Sequence, residues 1–523
     1  MVRATTLPVA QRPLTNNVYI DGILWGGKYY SSSDSSVTKI DYSFWNSAAA
    51  GFDEPYNDYA KTSNDWFPEG KDSLIKALDT WAAVANIQFV DAGDNNPSAT
   101  LGFYNVNNAQ LGGDLLGYFN APGENGQGIG YFNREGLGGN VAGTPGSLAF
   151  LISIHELGHG LGLAHPHDNG GGSPIYPGVT SAFGSYGDFG LNQGIYTTMS
   201  YNTGFSSQNG NQNGLGYGLQ STPMAFDIAA IQYLYGKNNS YKTGNDTYYL
   251  PSVNQSGTSY SCIWDAGGID TISGISAQKD VTINLNDASL NTAQDGAAAG
   301  GYLSSAKGIF GGYTIANSVV IENATGSNFN DQIIGNEFNN NLVGNDGNDR
   351  INGGAGNDTV DGGNGNDDLI GRAGNDRLVG GAGADYLFCD PGNDVLVGGA
   401  GSDFFLYNTQ VANVGQDTIS DFNHSQGDKI GLDRATFTAL SSTSDNSLAA
   451  NDFAIATLDI LGIPLIGEFL DAEIVYNSTN GSLYYNQNGT ALGFGSGGLL
   501  ATLSGAPTLA ASDFFVGDLI SFS

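Results

Sequence analysis

Residues 155–165 read His-Glu-Leu-Gly-His-Gly-Leu-Gly-Leu-Ala-His, the pattern H-E-x-x-H-x-x-G-x-x-H. His155 and His159 stand four apart, so a helix presents both on one face, one turn apart. Two imidazoles so placed can hold one zinc ion. Glu156, beside the first ligand, can reach a water at that ion and serve as general base. Gly162 accepts positive φ and lets the chain leave the helix sharply, and the turn then delivers His165 as a third ligand. Three protein ligands leave one position for water, which distinguishes a catalytic zinc site from a closed structural one. Leu148, Phe150, Leu151, Ile152, Ile154 and Leu157 make the helix apolar almost all round, so it should be buried. Stranding polar groups in a dry core costs roughly 2–7 kcal/mol on transfer scales, and a metal would supply the missing partner. The bland alternative is a core helix with incidental histidines.

On either side of this motif the chain reads as a globular half. Residues 1–18 are polar and carry Pro8 and Pro13, as a leader or short pro-segment would. Over 71–85, Leu74, Leu78, Trp81 and Ala85 give an amphipathic helical pattern. Short strands are predicted at 87–90, 99–104, 117–121 and 130–133. Residues 168–222 form a long Gly/Asn/Ser-rich loop interrupted at 196–201. Residues 223–235 return to helix, with Ile228, Ile231 and Leu234 on one face and Gly236 as its stop.

Beyond about residue 245 helix signals nearly vanish and an internal repeat takes over. Asp349, Asp358, Asp367, Asp376, Asp385, Asp394 and Asp403 recur every nine residues, each closing a six-residue turn such as GGAGND. Two residues after each comes an apolar side chain: Ile351, Val360, Leu369, Leu378, Leu387, Leu396 and Phe405. Weaker turns end at Asp331 and Asn340, where Phe329 and Phe338 replace glycine. Glycines permit the tight turn, and a three-residue strand buries its middle residue. Successive units then stack as a parallel β-roll. Calcium wants six to eight oxygens and can lie between adjacent turns, taking carbonyls and carboxylates from both. The ion cancels the Asp–Asp repulsion, so this region should be disordered without calcium and folded with it. Cys389 occupies a glycine position and Pro391 follows it, which marks that turn as the weakest calcium site. The tail is strand-rich, with strands predicted at 417–422, 428–432, 473–476, 481–486, 493–495 and 499–503.

Composition narrows the partners. Over 523 residues, 17 Lys+Arg against 51 Asp+Glu give a formal charge of −34. Nucleic acid and anionic membranes are poor partners for such a surface. Residues 326–403 hold twelve Asp and one Glu against three Arg and no Lys, so the segment repels itself unless cations bind it. Two cysteines, Cys262 and Cys389, imply no disulfide framework. No run of 18 apolar residues exists, so no membrane insertion is expected. The N-terminus lacks an apolar h-region, so export, if it occurs, takes another route.

Together these motifs resemble the serralysins, secreted bacterial zinc metalloproteases of the RTX type within the metzincin clan. The resemblance runs from about residue 19 to the end. Thr198-Met199-Ser200-Tyr201-Asn202 is similar to the family's Met turn. It implies Met199 as the floor beneath the zinc and Tyr201 as an additional, displaceable ligand that also stabilises the oxyanion. Residues 227–232 (DIAAIQ) and 234–236 (LYG) resemble the helix closing the protease domain. Residues 264–270 (WDAGGID) resemble the first calcium loop, implying Asp265, Gly267, Gly268 and Asp270 as calcium ligands.

The implied fold class is multi-domain α+β. A metzincin-like α/β zinc protease domain spans 19–245, followed by an all-β C-terminal domain with a calcium-binding parallel β-roll. Within the latter, 246–325 is its β-rich start, 326–405 the nonapeptide β-roll, and 406–523 a β-rich end with an export signal near 513–516. The implied cofactors are one catalytic Zn²⁺ and several structural Ca²⁺. The implied partners are protein or peptide substrates, type I secretion machinery and a proteinaceous inhibitor, and the implied state is an extracellular monomer. Substrate would lie as an extended strand along a sheet edge near 117–121. His167 departs from the family pattern and is read as exposed, with competition for the metal as the alternative, and the cysteines have no assigned role. The competing reading is a non-enzymatic calcium-dependent RTX adhesin or surface protein; a pore-forming toxin lacks the apolar stretch it would need.

Overall fold

The computed structural model describes residues 7–32, 37–46, 63–111, 115–137, 143–202, 216–408, 415–456, 472–487 and 497–519, together with the backbone of 459–460 and 463–464. Two compact units make up the chain. One comprises Met1–Asn245, Pro251–Gly268 and Asp287–Val319, the other Asp246–Leu250, Ile269–Asn286 and Val320–Ser523. The chain therefore alternates between units within 246–325.

In the first unit the amphipathic pattern becomes the helix Pro68–Val84. Proline at its first position gives up only an N–H that would have no helical partner, and Leu74, Leu78 and Trp81 are buried. A mixed sheet runs in the order Ile87–Asp91, Thr38–Trp45, Leu101–Val106, Ile129–Asn133, Gly117–Phe119. All its pairings are parallel except the last, where Gly117–Phe119 forms the antiparallel edge. Thr38–Trp45 has no signature in the sequence reading. Its side chains are buried on both faces from Tyr42 onward, which erases the alternation that identifies a half-exposed strand. Phe44, Phe103, Phe132 and Trp66 pack ring against ring on this sheet. Val9–Gln11, within the segment read as a leader, pairs antiparallel with Lys28–Tyr30.

The motif helix spans Leu148–Leu161. Ser147 Oγ accepts a hydrogen bond from the Phe150 N–H and caps it. Trp81 Nε1 donates to the Ile154 carbonyl at 3.2 Å, docking this helix on Pro68–Val84. Gly162 ends it at φ +108°, and the Leu163 N–H donates back to the Gly158 carbonyl at 2.9 Å. A Cβ at Gly162 would stand 2.3 Å from the Lys28 carbonyl oxygen. The helix Ala225–Tyr235 follows, with Gly236 at φ +86° beyond it.

The second unit contains the repeat. Strand residues pair with those eighteen positions on, for example Leu342 with Val360 and Ile351 with Leu369. Consecutive nonapeptides therefore lie in opposite parallel sheets, and every second one stacks. One sheet carries Asn341–Asp346, Thr359–Asn364, Arg377–Ala382 and Val395–Ala400. The other carries Arg350–Ala355, Asp368–Ala373, Tyr386–Phe388 and Phe404–Tyr407. Ile351, Val360, Leu369, Leu378, Leu387, Leu396 and Phe405 all point between the sheets with no exposed surface. Each such burial is worth about 1.5–3 kcal/mol. At the turns the coils come so close that a Cβ on Gly383 would lie 1.6 Å from the Gly365 carbonyl oxygen. Asp417–Ile419, Lys429–Asp433, Ile474–Asn477, Ser482–Tyr485, Gly498–Leu503 and Phe514–Gly517 continue the β structure. The strand predicted at 493–495 lies outside the described residues. Among the described residues no helix is long and apolar enough to cross a membrane.

Gly162→Ala tests the helix exit. The left-handed backbone costs a non-glycine residue about 1–2 kcal/mol, and the Lys28 contact adds to it. We expect a lowered unfolding midpoint in a denaturant titration; an unchanged midpoint would refute the role given to this glycine.

Candidate metal centre

The three motif histidines converge. Their Nε2 atoms lie 3.2 Å apart (His155–His159), 3.2 Å (His155–His165) and 2.9 Å (His159–His165). Ligands about 2.0–2.1 Å from a tetrahedral ion stand about 3.3–3.4 Å from one another, so the triangle is close to zinc-sized. Each far nitrogen faces an acceptor. His155 Nδ1 lies 2.8 Å from the Thr198 carbonyl, His159 Nδ1 2.9 Å from the Leu163 carbonyl, and His165 Nδ1 2.7 Å from Asp168 Oδ2. Those acceptors place the proton on Nδ1, leaving three Nε2 lone pairs aimed at one point. Burial, reinforced by the neighbouring rings, holds His155 down at about 3 and His159 well below the ordinary histidine range. Protonation is therefore a poor way to satisfy the His155 and His159 lone pairs, whereas a divalent cation fits all three.

The surrounding shell is built from several segments of the first unit. Met199 is fully buried, and its Sδ would be 2.7 Å from a Cβ on Gly158 of the motif helix. Asp227, also fully buried, clamps the turn that carries it. Its carboxylate accepts from Thr197 Oγ1 (2.5 Å), the Thr198 N–H (2.6 Å), Thr198 Oγ1 (2.8 Å) and the Met224 N–H (2.9 Å). Through Thr198, whose carbonyl meets His155, this clamp orients a metal-facing ring. The Tyr201 ring lies 4.7 Å from that of His165 and 5.7 Å from that of His155. Burial, with Glu156 and Asp168 nearby, pushes its phenol up to about 12, so it remains an O–H donor.

Glu156 is buried, and burial lifts its carboxyl to about 8. Oε2 has no hydrogen-bond partner among the described residues. The side chain lies against the edge strand at Gly117, where a Cβ would come within 2.6–2.8 Å of it. Sequence reading gave Asp168 and Asp227 no role at the site and placed Gly117 only along the substrate edge. Asp168 stands only three residues after His165, which is a usable signal; the other two meet the site only through folding. His167 corrects a sequence expectation. It is half-buried rather than exposed, because its ring stacks 4.7 Å from His165 and lies 4.6 Å from Tyr201.

The repeat aspartates form a second, periodic set. Asp349, Asp358, Asp367, Asp376, Asp385, Asp394 and Asp403 are all buried. In the stacked coils one oxygen accepts from the backbone N–H of the aspartate eighteen residues earlier, as between Asp349 and Asp331 or Asp367 and Asp349. The other oxygen, Oδ2, has no hydrogen-bond partner among the described residues in all seven. At Gly344, Gly353, Gly362 and Gly380 a Cβ would stand 2.2–2.4 Å from Oδ2 of the aspartate five residues on. It would also stand 2.5–2.9 Å from the carbonyl oxygen of the glycine eighteen residues on. Each glycine thus leaves a hollow into which a carboxylate and a carbonyl point, and this oxygen set fits calcium. Asp331 differs, because Ser327 donates to it through both N–H and hydroxyl. Asn340 likewise spends its side chain on Asn336.

In the remaining loop, Asp265 is buried and its Oδ1 accepts from the Gly267 N–H at 3.0 Å. Gly267 and Gly268 adopt φ +136° and +149°. Asp270 is buried; its Oδ1 accepts from the Asp246 N–H at 2.7 Å, and its own N–H donates to Glu322 Oε2 at 2.8 Å.

Comparison with known proteins finds a family match to the repeat and relatives of the longer chain. The RTX calcium-binding nonapeptide repeat matches at residues 325–360, 334–369, 361–396 and 370–405. Metalloprotease AprA of Pseudomonas entomophila is 29% identical over 61% of this chain and 62% of its own length. Serralysin of Proteus mirabilis is 29% identical over 59% and 61%, and metallopeptidase AprA of Pseudomonas marginalis 30% over 59% and 62%. The chain thus spans about three fifths of the length of these curated relatives. The resemblance to serralysins seen in the motifs is present across the wider sequence, and the repeats are RTX calcium-binding repeats.

Two outcomes are expected. Asp168→Ala frees the His165 ring, so zinc affinity measured by competition with a chromophoric chelator should fall about 10–100-fold; unchanged affinity would remove Asp168 from the site. For the roll, burial is the chief cause that raises Asp349, Asp358 and Asp394 to about 7 and Asp367, Asp385 and Asp403 to about 6. An acid with a raised folded pKa binds more protons folded than unfolded. Without calcium the roll should therefore lose stability as pH rises from about 4 to about 7, as followed by circular dichroism in chelator. A calcium-free roll that gains stability over that interval would contradict this.

Proposed function

We propose that this chain is a secreted, zinc-dependent endopeptidase of the serralysin kind, with a calcium-stabilised β-roll that folds after type I export. The observation that carries the reading is the triangle of Nε2 lone pairs, each ring locked through its Nδ1. In this reading 19–245 is a metzincin-like protease domain behind a leader or pro-segment at 1–18. Residues 246–325 lead into the roll at 326–405, and 406–523 carry the export signal. Calcium is scarce in the cytosol and plentiful outside, so the self-repelling roll stays open until the chain has left the cell.

His155, His159 and His165 would hold the zinc through Nε2, with Tyr201 as a further, displaceable ligand and Met199 packed beneath. When bound, the ion supplies Lewis-acid charge that polarises the scissile carbonyl and lowers the pKa of a water. Glu156 does the proton work. Its unpartnered Oε2 takes a proton as the water oxygen attacks the carbonyl carbon, and returns it to the amine nitrogen as the C–N bond breaks. The Tyr201 O–H donates to the developing substrate oxyanion. The strand Gly117–Phe119 is the last in its sheet and would take an extended substrate alongside it, and Gly117 leaves the room in which the Glu156 carboxyl sits.

The test separates metal from proton transfer. Glu156→Gln should retain zinc by elemental analysis yet lose about 10²–10⁴-fold in kcat on casein. Zymogram clearing by the unsubstituted protein should vanish with a zinc chelator and return with zinc. Undiminished cleavage by Glu156→Gln would refute the assigned base, and clearing that survives chelation would refute the reading as a whole.

A further inference from the structure

One nonapeptide turn does not fit the ion that the others fit. In residues 389–394 (CDPGND) the glycine hollow is replaced by Cys389, which is fully buried. A side chain therefore stands where Gly344, Gly353, Gly362 and Gly380 leave space for Oδ2 and a carbonyl. The backbone has shifted to accommodate it. The second residue of six other turns is left-handed: Asn345 (φ +84°), Gly354 (+103°), Gly363 (+104°), Arg372 (+75°), Gly381 (+111°) and Gly399 (+100°). Asp390 is not. The strand before the turn is correspondingly short. Tyr386–Phe388 ends its pairing with Asp368–Ala373 at Ile370–Phe388, whereas the preceding ladder runs on through Gly354–Arg372 and Ala355–Ala373. One coil earlier, at Gly371, the three atoms nearest a Cβ all belong to Asp376, so the Cys389 carbonyl lies farther off than the 2.5–2.9 Å of the glycine carbonyls at Gly344, Gly353, Gly362 and Gly380. The chain substitutes its own contacts: Asp390 Oδ2 accepts from the Arg372 N–H at 3.2 Å, and the Arg372 charge lies beside Asp390. Tyr407, fully buried, fills the space beside Cys389.

We propose that turn 389–394 holds no calcium. The line of sites through Asp358, Asp376 and Asp394 is interrupted there by a plug of protein side chains, while at Asp349, Asp367 and Asp385 on the other edge each hollow keeps both its carboxylate and its carbonyl. The two edges of the roll thus differ in how many ions they need in order to fold. The inference rests on calcium binding by the intact turns.

The experiment counts calcium ions per full chain by isothermal titration with calcium alone. Converting the turn to the sequence at 353–358 (Cys389→Gly, Asp390→Gly, Pro391→Ala) should add at least one bound ion. Cys389→Ala should add none, because its Cβ still fills the hollow. The reciprocal variant Gly380→Ala should lose at least one ion, and it stands as the test if the triple variant does not fold. Equal calcium counts in the triple variant and the unsubstituted chain, a gain by Cys389→Ala, or a full count in Gly380→Ala would each overturn this inference. No calcium on any chain would overturn the calcium reading itself.

Discussion

Buried electron-pair donors that face one another without a proton between them are the constraint on which both units depend. Three imidazole Nε2 atoms lie within 3.2 Å of one another in the first unit, and a series of carboxylate Oδ2 atoms points into glycine hollows in the second. Most of these donors are buried, so each costs free energy unless a cation answers it. The two differ in softness. Imidazole nitrogen suits zinc, whereas carboxylate and carbonyl oxygen suit calcium.

The protein fixes these donors by securing what lies behind them. At the metal centre the Nδ1 side of every histidine is held, and one of its anchors, Thr198, is itself held by the fully buried Asp227. Burial raises the Asp227 carboxyl, and the hydrogen bonds from Thr197, Thr198 and Met224 oppose that rise. In the roll the equivalent support is the backbone N–H eighteen residues earlier, which occupies one carboxylate oxygen and leaves the other for an ion. A first donor atom spent on orientation and a second left for the metal is the common device.

The same logic accounts for the exceptions. Asp331 and Asn340 close turns of the right length, yet Ser327 and Asn336 already satisfy them. Cys389 spends its hollow on a side chain. Turn length alone does not make a calcium site; an empty hollow and an unspent oxygen do.

Much of this was legible in the chain as written. The spacing of His155, His159 and His165 implies convergence because helical geometry and a left-handed glycine leave few other paths. The nine-residue phase of aspartate and aliphatic likewise implies a stacked roll, because the same hydrophobic register recurs at every unit. What folding alone decided is non-local. Stacking at eighteen rather than nine residues depends on the chain reversing between two sheets. Thr38–Trp45 is a central strand whose burial on both faces hides its period. Gly117 and Asp227 meet the site from segments that share no local pattern with the motif, and the burial of His167, two residues after His165, comes from its contact with Tyr201. A sequence displays the atoms able to bind an ion, but which neighbour has already claimed them is settled by contacts between distant residues.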